Sequence, residues 1–284
     1  MRKKMTIAIV GPGNLGTSLA LSLDEAGYRV REIIYRKGGA SAKRARTLAR
    51  KIHARAETPE SARLEVDLLW ICVGDRQIAA AAQELATRRD WHGKIVFHAS
   101  GALLSDELFL FKKWGAAVAS VHPLMTFVRG TRARWKDVPC AIEGDARAVN
   151  AARSIVRALG AEAFEIKPRN KAAHHAWAAF TSPLIIAALV TGEEVALLAG
   201  HSREEARTRM MPIVKQTIAN YEKLGAAGAF SGPIVRGDVE TVRRHMAVLR
   251  KLPSAREAYV ALAHSAMRHL PVRNKQALRN VLRG

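Results

Sequence analysis

Three glycines near the amino terminus have the spacing of a phosphate-binding loop. The stretch IAIVGPGNLGTSLALSL, residues 7–23, places Gly11, Gly13 and Gly16 between a strand-like apolar run and a helix-like one. In such a loop the first glycine allows a tight turn, the second lets a pyrophosphate approach the backbone, and the third lets the helix pack against the strand. The N–H groups that open the helix would then bind phosphate oxygens. We therefore expect a dinucleotide-binding loop, with a purely structural turn as the alternative; its residues are Gly11, Gly13, Asn14, Leu15 and Gly16.

The end of the second predicted strand, YRVREIIYR, indicates which dinucleotide would bind. NAD sites place an acidic residue about 20 positions after the loop, where it holds the ribose 2′-hydroxyl. Here that position is Arg36, followed by Lys37 and Ser41, while Glu32 lies earlier in the strand. A guanidinium group beside a hydroxyl suits a 2′-phosphate. The sequence predicts NADP rather than NAD as the cofactor, unless Arg36 is an ordinary exposed cation.

The elements that must position these residues alternate between strands and helices up to residue 167. Such alternation predicts a mostly parallel sheet covered on both faces. Only helical patterns follow from residue 168 onward. We expect an α/β fold with a Rossmann-like doubly wound sheet in residues 1–167 and an all-α domain in residues 168–284. The predicted strands are MTIAIVG, YRVREIIYR, VDLLWICVG, GKIVFHAS, AAVASVHPL, VPCAIEG and AEAFEI.

Helix signals in the second half are specific enough to test. A long apolar helix should be kinked near Pro183. Ser202 with Glu205 and Ser254 with Glu257 have the spacing of capping boxes, and Asp238 can cap a further helix. The Arg-rich tail is expected to be loose.

The strand VDLLWICVG leads into a second predicted cofactor contact. The carboxyl end of this strand borders the dinucleotide in folds of this class. Val73, Gly74 and Asp75 follow it directly. We expect these residues to line the ribose on the nicotinamide side, although Asp75 could equally be the N-cap of the next helix.

Composition limits the remaining function classes. The chain has 284 residues, a net charge of +21 and only 6% aromatic residues. The cations are spread along the chain and base-stacking aromatics are few, so we expect anionic small molecules rather than nucleic acid as partners. The amino-terminal apolar run is too short for a signal peptide, and Ala172–Gly192 is too polar for a membrane span, which predicts a cytoplasmic protein. Cys72 and Cys140 should be buried free thiols, and no residues have metal-motif spacing.

Seven motifs in one order resemble a known family. They are GPGNLG, ICVGDRQI, VFHASGA, SVHPLMTF, AIEGD, NKAAHHAWAAFTS and FSGPIVRGDVETVRRHM. The chain is similar to a family that joins a Rossmann-like domain to a helical domain of unknown function, within the superfamily of 6-phosphogluconate and 3-hydroxyacid dehydrogenases, ketopantoate reductase and pyrroline-5-carboxylate reductase. The resemblance implies an NADP-dependent reductase or dehydrogenase whose helical domain closes over the nicotinamide and forms a homodimer.

The resemblance also implies catalytic residues on the first helix of the second domain. Relatives that act on hydroxy acids have a lysine where this helix starts, and Lys171, His174 and His175 match that position. Their spacing predicts one shared helix face, open to one ligand. Lys171 would be the general acid or base, and His175 would orient or relay. The family often has tyrosine at 174 and asparagine at 183, so Ser182 or Thr181 would replace the lost amide.

Two further motifs end neighbouring strands at the same edge of the sheet. FHASGA should place Ser100 and Gly101 at the cofactor and His98 at the substrate. SVHPLM should place His122 and Pro123 at the substrate, with an extended or cis bond before the proline. In SGPIVRGD, Arg236 could clamp a carboxylate or phosphate, or be a surface residue.

Together these observations predict an oxidoreductase that transfers hydride between NADP and a small, anionic carbonyl or imine compound. The first alternative is an NADP-binding sensor or scaffold that has no turnover. The second is a nucleic-acid-binding protein.

Overall fold

The computed structural model describes residues 4–130 and 133–283. The chain divides into two compact units, Met1–Ala179 and Phe180–Gly284. The boundary lies later than the predicted 167/168 because the start of the helix that follows residue 170 packs with the sheet: Lys171 and His174 are buried.

One mixed sheet organises the first unit. Its strand order is β3-β2-β1-β4-β5-β6-β7-β8. Neighbouring strands are parallel except β6 and β7, which are antiparallel. This confirms the doubly wound, mostly parallel sheet; the three-residue β3 is too short to leave a sequence pattern. The strands are β1 Thr6–Val10, β2 Arg29–Ile34, β3 Arg55–Glu57, β4 Leu68–Ile71, β5 Ile95–His98, β6 Ala117–Pro123, β7 Pro139–Gly144 and β8 Glu162–Glu165.

Helices cover both faces of this sheet. In β1, Ile7 and Ile9 face one apolar core while Ala8 and Val10 face the other. Helices α1, α2 and α5 pack on the first face, and α3 and α4 pack on the second. This two-sided burial explains why the central strands read as continuous apolar runs. The helices are α1 Asn14–Glu25, α2 Gly39–Lys51, α3 Ile78–Ala86, α4 Phe109–Lys113, α5 Ala146–Ala158 and α6 Lys171–Thr181.

The described residues of the second unit form helices joined by loops, and none of them lies in a strand. Its core joins α10, α11 and α12 through residues such as Val242, Met267, Leu278 and Leu282. The expectation of a loose tail is wrong, because Leu278 and Leu282 bury one face of α12 in this core. The helices are α7 Pro183–Leu198, α8 Arg203–Ala229, α9 Pro233–Arg236, α10 Val239–Leu249, α11 Pro253–His269 and α12 Lys275–Arg283.

Helix starts in this unit follow the sequence signals at two positions of three. Ser202 and Glu205 form a capping box, and Asp238 accepts a bond from the Thr241 N–H at 3.1 Å. The third prediction is wrong: Pro253 takes the first position of α11, so Ser254 lies inside the helix and cannot cap it. A proline there needs no N–H partner, which favours this start.

The long apolar stretch is broken where the sequence predicts. Ser182 has φ −134° and ψ −82°, and Pro183 begins α7. The segment Pro168–Leu198 is long and apolar enough to cross a membrane, with a mean hydropathy of 1.5 in its most apolar 18-residue window. Only 6% of that window is buried. The segment thus meets length and hydropathy criteria that the sequence was expected to fail over residues 172–192, although Ser182 interrupts the helix.

Candidate nucleotide-binding and active site

The glycine loop lies where the sheet reverses its strand order. β1 pairs with β2 on one side and with β4 on the other, so a crevice opens at their carboxyl ends. In open α/β sheets ligands bind at this switch point. The loop leads directly into α1, whose N-cap is Gly13.

The three loop glycines differ in whether a side chain would fit at their positions. Gly11 has φ +95°, and a Cβ there would lie 2.9 Å from the Cys72 carbonyl oxygen. A Cβ on Gly16 would lie 2.1 Å from the Gly11 carbonyl oxygen. By contrast, a Cβ on Gly13 would have no atom within 4 Å. Gly11 and Gly16 are thus required by the packing of the loop itself, whereas Gly13 leaves the space that a pyrophosphate would need.

The two residues after Gly13 hold the start of α1 in place. The Asn14 amide Nδ2 donates to the Phe127 carbonyl oxygen at 3.0 Å. Leu15 packs against the core of the first face. Their side chains therefore face the protein, and what they offer a ligand is the backbone N–H groups of the first turn, which have no partner within the helix.

A cleft of about 460 Å³ adjoins the loop. Six of the predicted cofactor contacts line it, and their contact with a cofactor stays a prediction: Gly11, Gly13, Arg36, Ser41, Val73 and Gly74. Arg44, which sequence reasoning missed, lines it too. The structure thus brings a guanidinium pair and a hydroxyl to the end of β2.

The acid of β2 cannot serve the ribose. Glu32 is fully buried and forms an ion pair with Arg55. It also accepts the Arg63 and Leu64 N–H groups at 3.2 and 3.0 Å. Since its oxygens are already engaged, it offers no hydroxyl acceptor at the cleft.

Lys37 and Asp75 are among the predicted cofactor contacts that lie outside this lining. Lys37 pairs with Glu60 at 3.1 Å, and both side chains are exposed. Asp75 is exposed as the first residue of a short 3₁₀ turn whose N-cap is Gly74. The capping alternative for Asp75 is therefore wrong, and its cofactor role stays a prediction.

The loop after β5 uses its polar side chains internally. His98 is fully buried; its Nε2 bonds the Leu104 carbonyl oxygen at 2.9 Å and its Nδ1 accepts the Ser100 N–H at 3.1 Å. The Ser100 hydroxyl accepts from the Ala102 and Leu103 N–H groups. Because both ring nitrogens are engaged, the structure corrects the expectation that His98 contacts a substrate. Burial also lowers the His98 pKa to about 4, so the ring is neutral.

A buried charge pair lies at the adjoining strand ends. Lys171 is 2% exposed; its Nζ donates to the Ser120 hydroxyl and lies 3.4 Å from Glu143 Oε1. Glu143 also accepts the Ser105 N–H at 2.7 Å and the Ser105 hydroxyl at 2.8 Å. Ser120 and Glu143 are direct partners across β6 and β7. Sequence reasoning missed Glu143, for which the available signal was one acid in the otherwise apolar strand VPCAIEG.

Three histidines cluster above this pair. The His122 ring centroid lies 5.6 Å from that of His174 and 5.9 Å from that of His175. A Cβ on Gly101 would lie 2.5 Å from His175 Cδ2 and 2.7 Å from His122 Nε2. Gly101 is therefore required for both rings to approach its loop.

The histidine cluster corrects one expectation about α6. Lys171 and His174 are buried, whereas His175 is exposed, so the three side chains do not share one open face. The His174 ring packs on Phe164 and Trp177. Lys171 and His174 point at the sheet, and His175 lies at the edge of that contact.

Two ring nitrogens of the cluster are buried without a partner in the described protein. They are His122 Nδ1 and His174 Nε2. Burial, followed by the charges of His174, His175 and Lys171, lowers the pKa of His122 to about 4. Burial, followed by the Lys171 charge, lowers the pKa of His174. Buried polar atoms of native proteins almost always have partners, so such exceptions call for a ligand or a functional explanation.

The remaining site predictions lie elsewhere. Pro123 is buried, and no described peptide bond is cis. Ser182 and exposed Arg236 belong to the second unit, and their roles stay predictions. Cys72 and Cys140 are buried free thiols, as expected. Over the described residues, no cluster of three or more His, Cys, Asp or Glu side chains could hold a metal.

The fold and the glycine loop together define a Rossmann-like domain. The family model for that domain matches residues 1–123. The model for the domain of unknown function DUF2520 matches residues 138–266. The chain thus joins a Rossmann-like domain to a DUF2520 domain, which confirms the family resemblance. No match was found among curated proteins.

Solved structures share this fold along nearly the whole chain. A proposed NADP oxidoreductase from Bacteroides fragilis is 20% identical, with a TM-score of 0.77 over 92% of this chain and 97% of its own. A reductive aminase from Aspergillus terreus in complex with NADPH and ethyl-5-oxohexanoate is 16% identical, with a TM-score of 0.68 over 98% of this chain and 99% of its own. A pyrroline-5-carboxylate reductase from Coxiella burnetii is 16% identical, with a TM-score of 0.55 over 98% of this chain and 99% of its own. Identities this low show a common fold.

The contrasting glycines give a direct test of the loop. Gly16→Ala should lower the free energy of unfolding by about 1–3 kcal/mol or more, because its Cβ would overlap backbone that cannot move away. Gly13→Ala should be neutral to within about 0.5 kcal/mol, since its surroundings are open and its φ of −72° suits any residue. Urea denaturation of both variants measures the difference. Equal losses at the two positions would show that the loop is not packed as described.

Proposed function

We propose that the protein is an NADP-dependent reductase that transfers hydride to the C=N or C=O carbon of a small, anionic compound. One observation carries the proposal: a glycine loop with an open second glycine adjoins a cleft that has two arginines at its rim. The histidine cluster supplies polar groups at the carboxyl ends of neighbouring strands, where a substrate would meet the cofactor.

The cleft residues fit the phosphates of NADP. The backbone N–H groups of Asn14 and Leu15 would bind the pyrophosphate beside the open Gly13. Arg36 and Arg44, with the Ser41 hydroxyl, would bind the 2′-phosphate through charge-assisted bonds. The engaged carboxylate of Glu32 supports NADP over NAD.

Proton transfer is assigned to the histidines at the loop of Gly101. A bound reduced nicotinamide supplies the hydride. The developing anion on nitrogen or oxygen needs a proton donor, and imidazole can donate near neutral pH. His175 is exposed and lies against His122, so a ligand over Gly101 can reach it. Neutral His122 and His174, each with an unused buried nitrogen, would orient the substrate.

The substrate class rests on charge and on the compared proteins. A net charge of +21 attracts anions, and Arg236 is retained as the predicted carboxylate or phosphate anchor. Structures of the reductive aminase contain NADPH with ethyl-5-oxohexanoate, and NADPH4 with cyclohexanone and allyl amine. This supports a carbonyl or imine as the reducible group.

Cofactor choice can be tested by fluorescence titration. Arg36→Ala and Arg44→Ala should each weaken NADPH binding roughly 10- to 100-fold, the worth of a charge-assisted bond, and leave NADH binding nearly unchanged. Arg50→Ala removes the same charge from an exposed position of α2 that does not line the cleft, and should change neither. Gly13→Ala should weaken both cofactors without unfolding the protein. Wild-type preference for NADH would contradict the assignment.

Turnover is tested by NADPH oxidation at 340 nm. The panel should contain cyclic imino acids, 2-keto acids, and keto acids mixed with amines. We expect at least one of them to be reduced, and His175→Asn to lower kcat about 100-fold or more, the usual contribution of a general acid. If NADPH binds but no compound is reduced, the sensor or scaffold function becomes the better assignment.

We also propose that the protein is a homodimer through α7 and α8. Large apolar side chains of these helices are exposed, among them Ile186 at 59% and Ile213 at 68%. Patches of this kind mark interaction surfaces. The same helices carry the Glu193–Arg207 pair and further charged side chains, a mixture that suits a second copy of the chain better than lipid.

Sedimentation equilibrium tests this assembly. The wild type should have twice the 31.1 kDa mass of one chain. Ile213→Glu should dissociate it, since a charge would be buried in the interface. Glu222→Ala on the same helix, at an exposed polar position, is the control and should remain dimeric. A monomeric wild type would contradict the proposal, and flotation with lipid vesicles would indicate a membrane surface instead.

A further inference from the structure

The Lys171 ammonium group is enclosed by protein. The residue is 2% exposed, and Nζ lies between the Ser120 hydroxyl and the Glu143 carboxylate. The Ser120 hydroxyl in turn donates to the Ser100 carbonyl oxygen at 3.1 Å. Glu143 is 5% exposed and holds two bonds from Ser105. The residue that the family resemblance makes a general acid or base is therefore engaged directly with β6 and β7.

We propose that Glu143 and Lys171 are positioning residues: their buried ion pair fixes the start of α6 on strands β6 and β7, and thereby places the His175 ring over Gly101 and beside His122. The catalytic part of this inference rests on the proposed function. The ion pair and its effect on α6 do not.

The geometry of α6 connects the pair to the histidines. Lys171 is the first residue of the helix, and His175 lies four residues, about one turn, further on. The helix start therefore sets where the His175 ring lies. The space between Gly101 and His175 Cδ2 is too small for a Cβ atom, which would lie 2.5 Å from Cδ2. Small displacements of the helix would therefore change this contact.

Charged and titratable groups on several elements of the sheet unit interact with Lys171. Glu143 on β7 and Asp75 after β4 raise its pKa, while burial lowers it, and burial is the larger effect. The Lys171 charge in turn lowers the pKa of His98 on β5, His122 on β6 and His174 on α6. Glu143 is thus the direct partner that offsets the burial of this ammonium group.

A buried ion pair has a characteristic response to substitution. Removing one partner leaves an uncompensated buried charge, whereas removing both charges is often tolerated. A proton donor behaves differently, because no second substitution can restore the lost proton. The double variant therefore separates a positioning role from a catalytic one.

The experiment compares Lys171→Met, Glu143→Gln and the double variant Glu143→Gln/Lys171→Met with the wild type. Each single variant should lower the melting temperature by several degrees, and the double variant should recover most of that loss. In each single variant the 13Cε1 NMR signals of His175 and His122 should shift or broaden. In the double variant they should return toward wild-type positions. A His175→Asn variant assigns the His175 signal.

Activity adds a second, independent readout. With the substrate found by the turnover screen, kcat of the double variant should return to within about tenfold of the wild type, whereas loss of a general acid costs at least about 100-fold. A double variant that is folded, binds NADPH and is as inactive as Lys171→Met would overturn the proposal and make Lys171 the donor. Unchanged histidine signals in both single variants would also overturn it. If the wild type reduces nothing, the proposed function fails, and melting and NMR still decide the role of the pair.

Discussion

The structure depends on how closely the backbone of α1 approaches β1 and β4. Gly16 of α1 stands against the carbonyl oxygen of Gly11 in the loop, and Gly11 stands against the carbonyl oxygen of Cys72 just after β4. The helix therefore meets the loop, and the loop meets the end of β4, at backbone distance. This approach aims the start of α1 at the crevice where the strand order reverses. Unpaired N–H groups and the helix dipole then point at the same place. Packing does not require a glycine at position 13, between Gly11 and Gly16. The open space beside Gly13 is therefore where we expect a ligand.

Buried polar groups at the carboxyl edge of the sheet divide into two kinds. His98, Ser100 and Glu32 have all their main polar atoms engaged by backbone, so they shape loops. His122 and His174 each retain a buried nitrogen without a partner. The first kind stabilises the protein, because burial without a bond is costly. The second kind is tolerated where a site gains from it, and its location beside Gly101 coincides with the loop that would face a cofactor.

Positive charge acts at two levels. The excess of cations along the chain creates a general attraction for anions but selects none. Selection needs fixed geometry, which the cleft provides by holding Arg36, Arg44 and Ser41 around one space. The Lys171 ammonium is the opposite case: it is buried, paired with Glu143 and removed from the surface field. Counting basic residues could not have separated these roles.

The sequence by itself determined most of the elements and their order. Period-two and continuous apolar runs fixed seven of the eight strands, capping residues such as Ser202 and Asp238 fixed helix starts, and glycine spacing fixed the loop. These signals depend on residues close together in the chain, so they can be recognised in the sequence alone. What only tertiary structure decided was which side chains remain free: Arg44 reaches the cleft, Glu143 meets Lys171 across the β6–β7 register, and His98 turns into its own loop. The first two outcomes depend on contacts between residues far apart in the chain, which residue spacing does not specify. The third depends on the conformation of a short loop, which residue type alone does not determine.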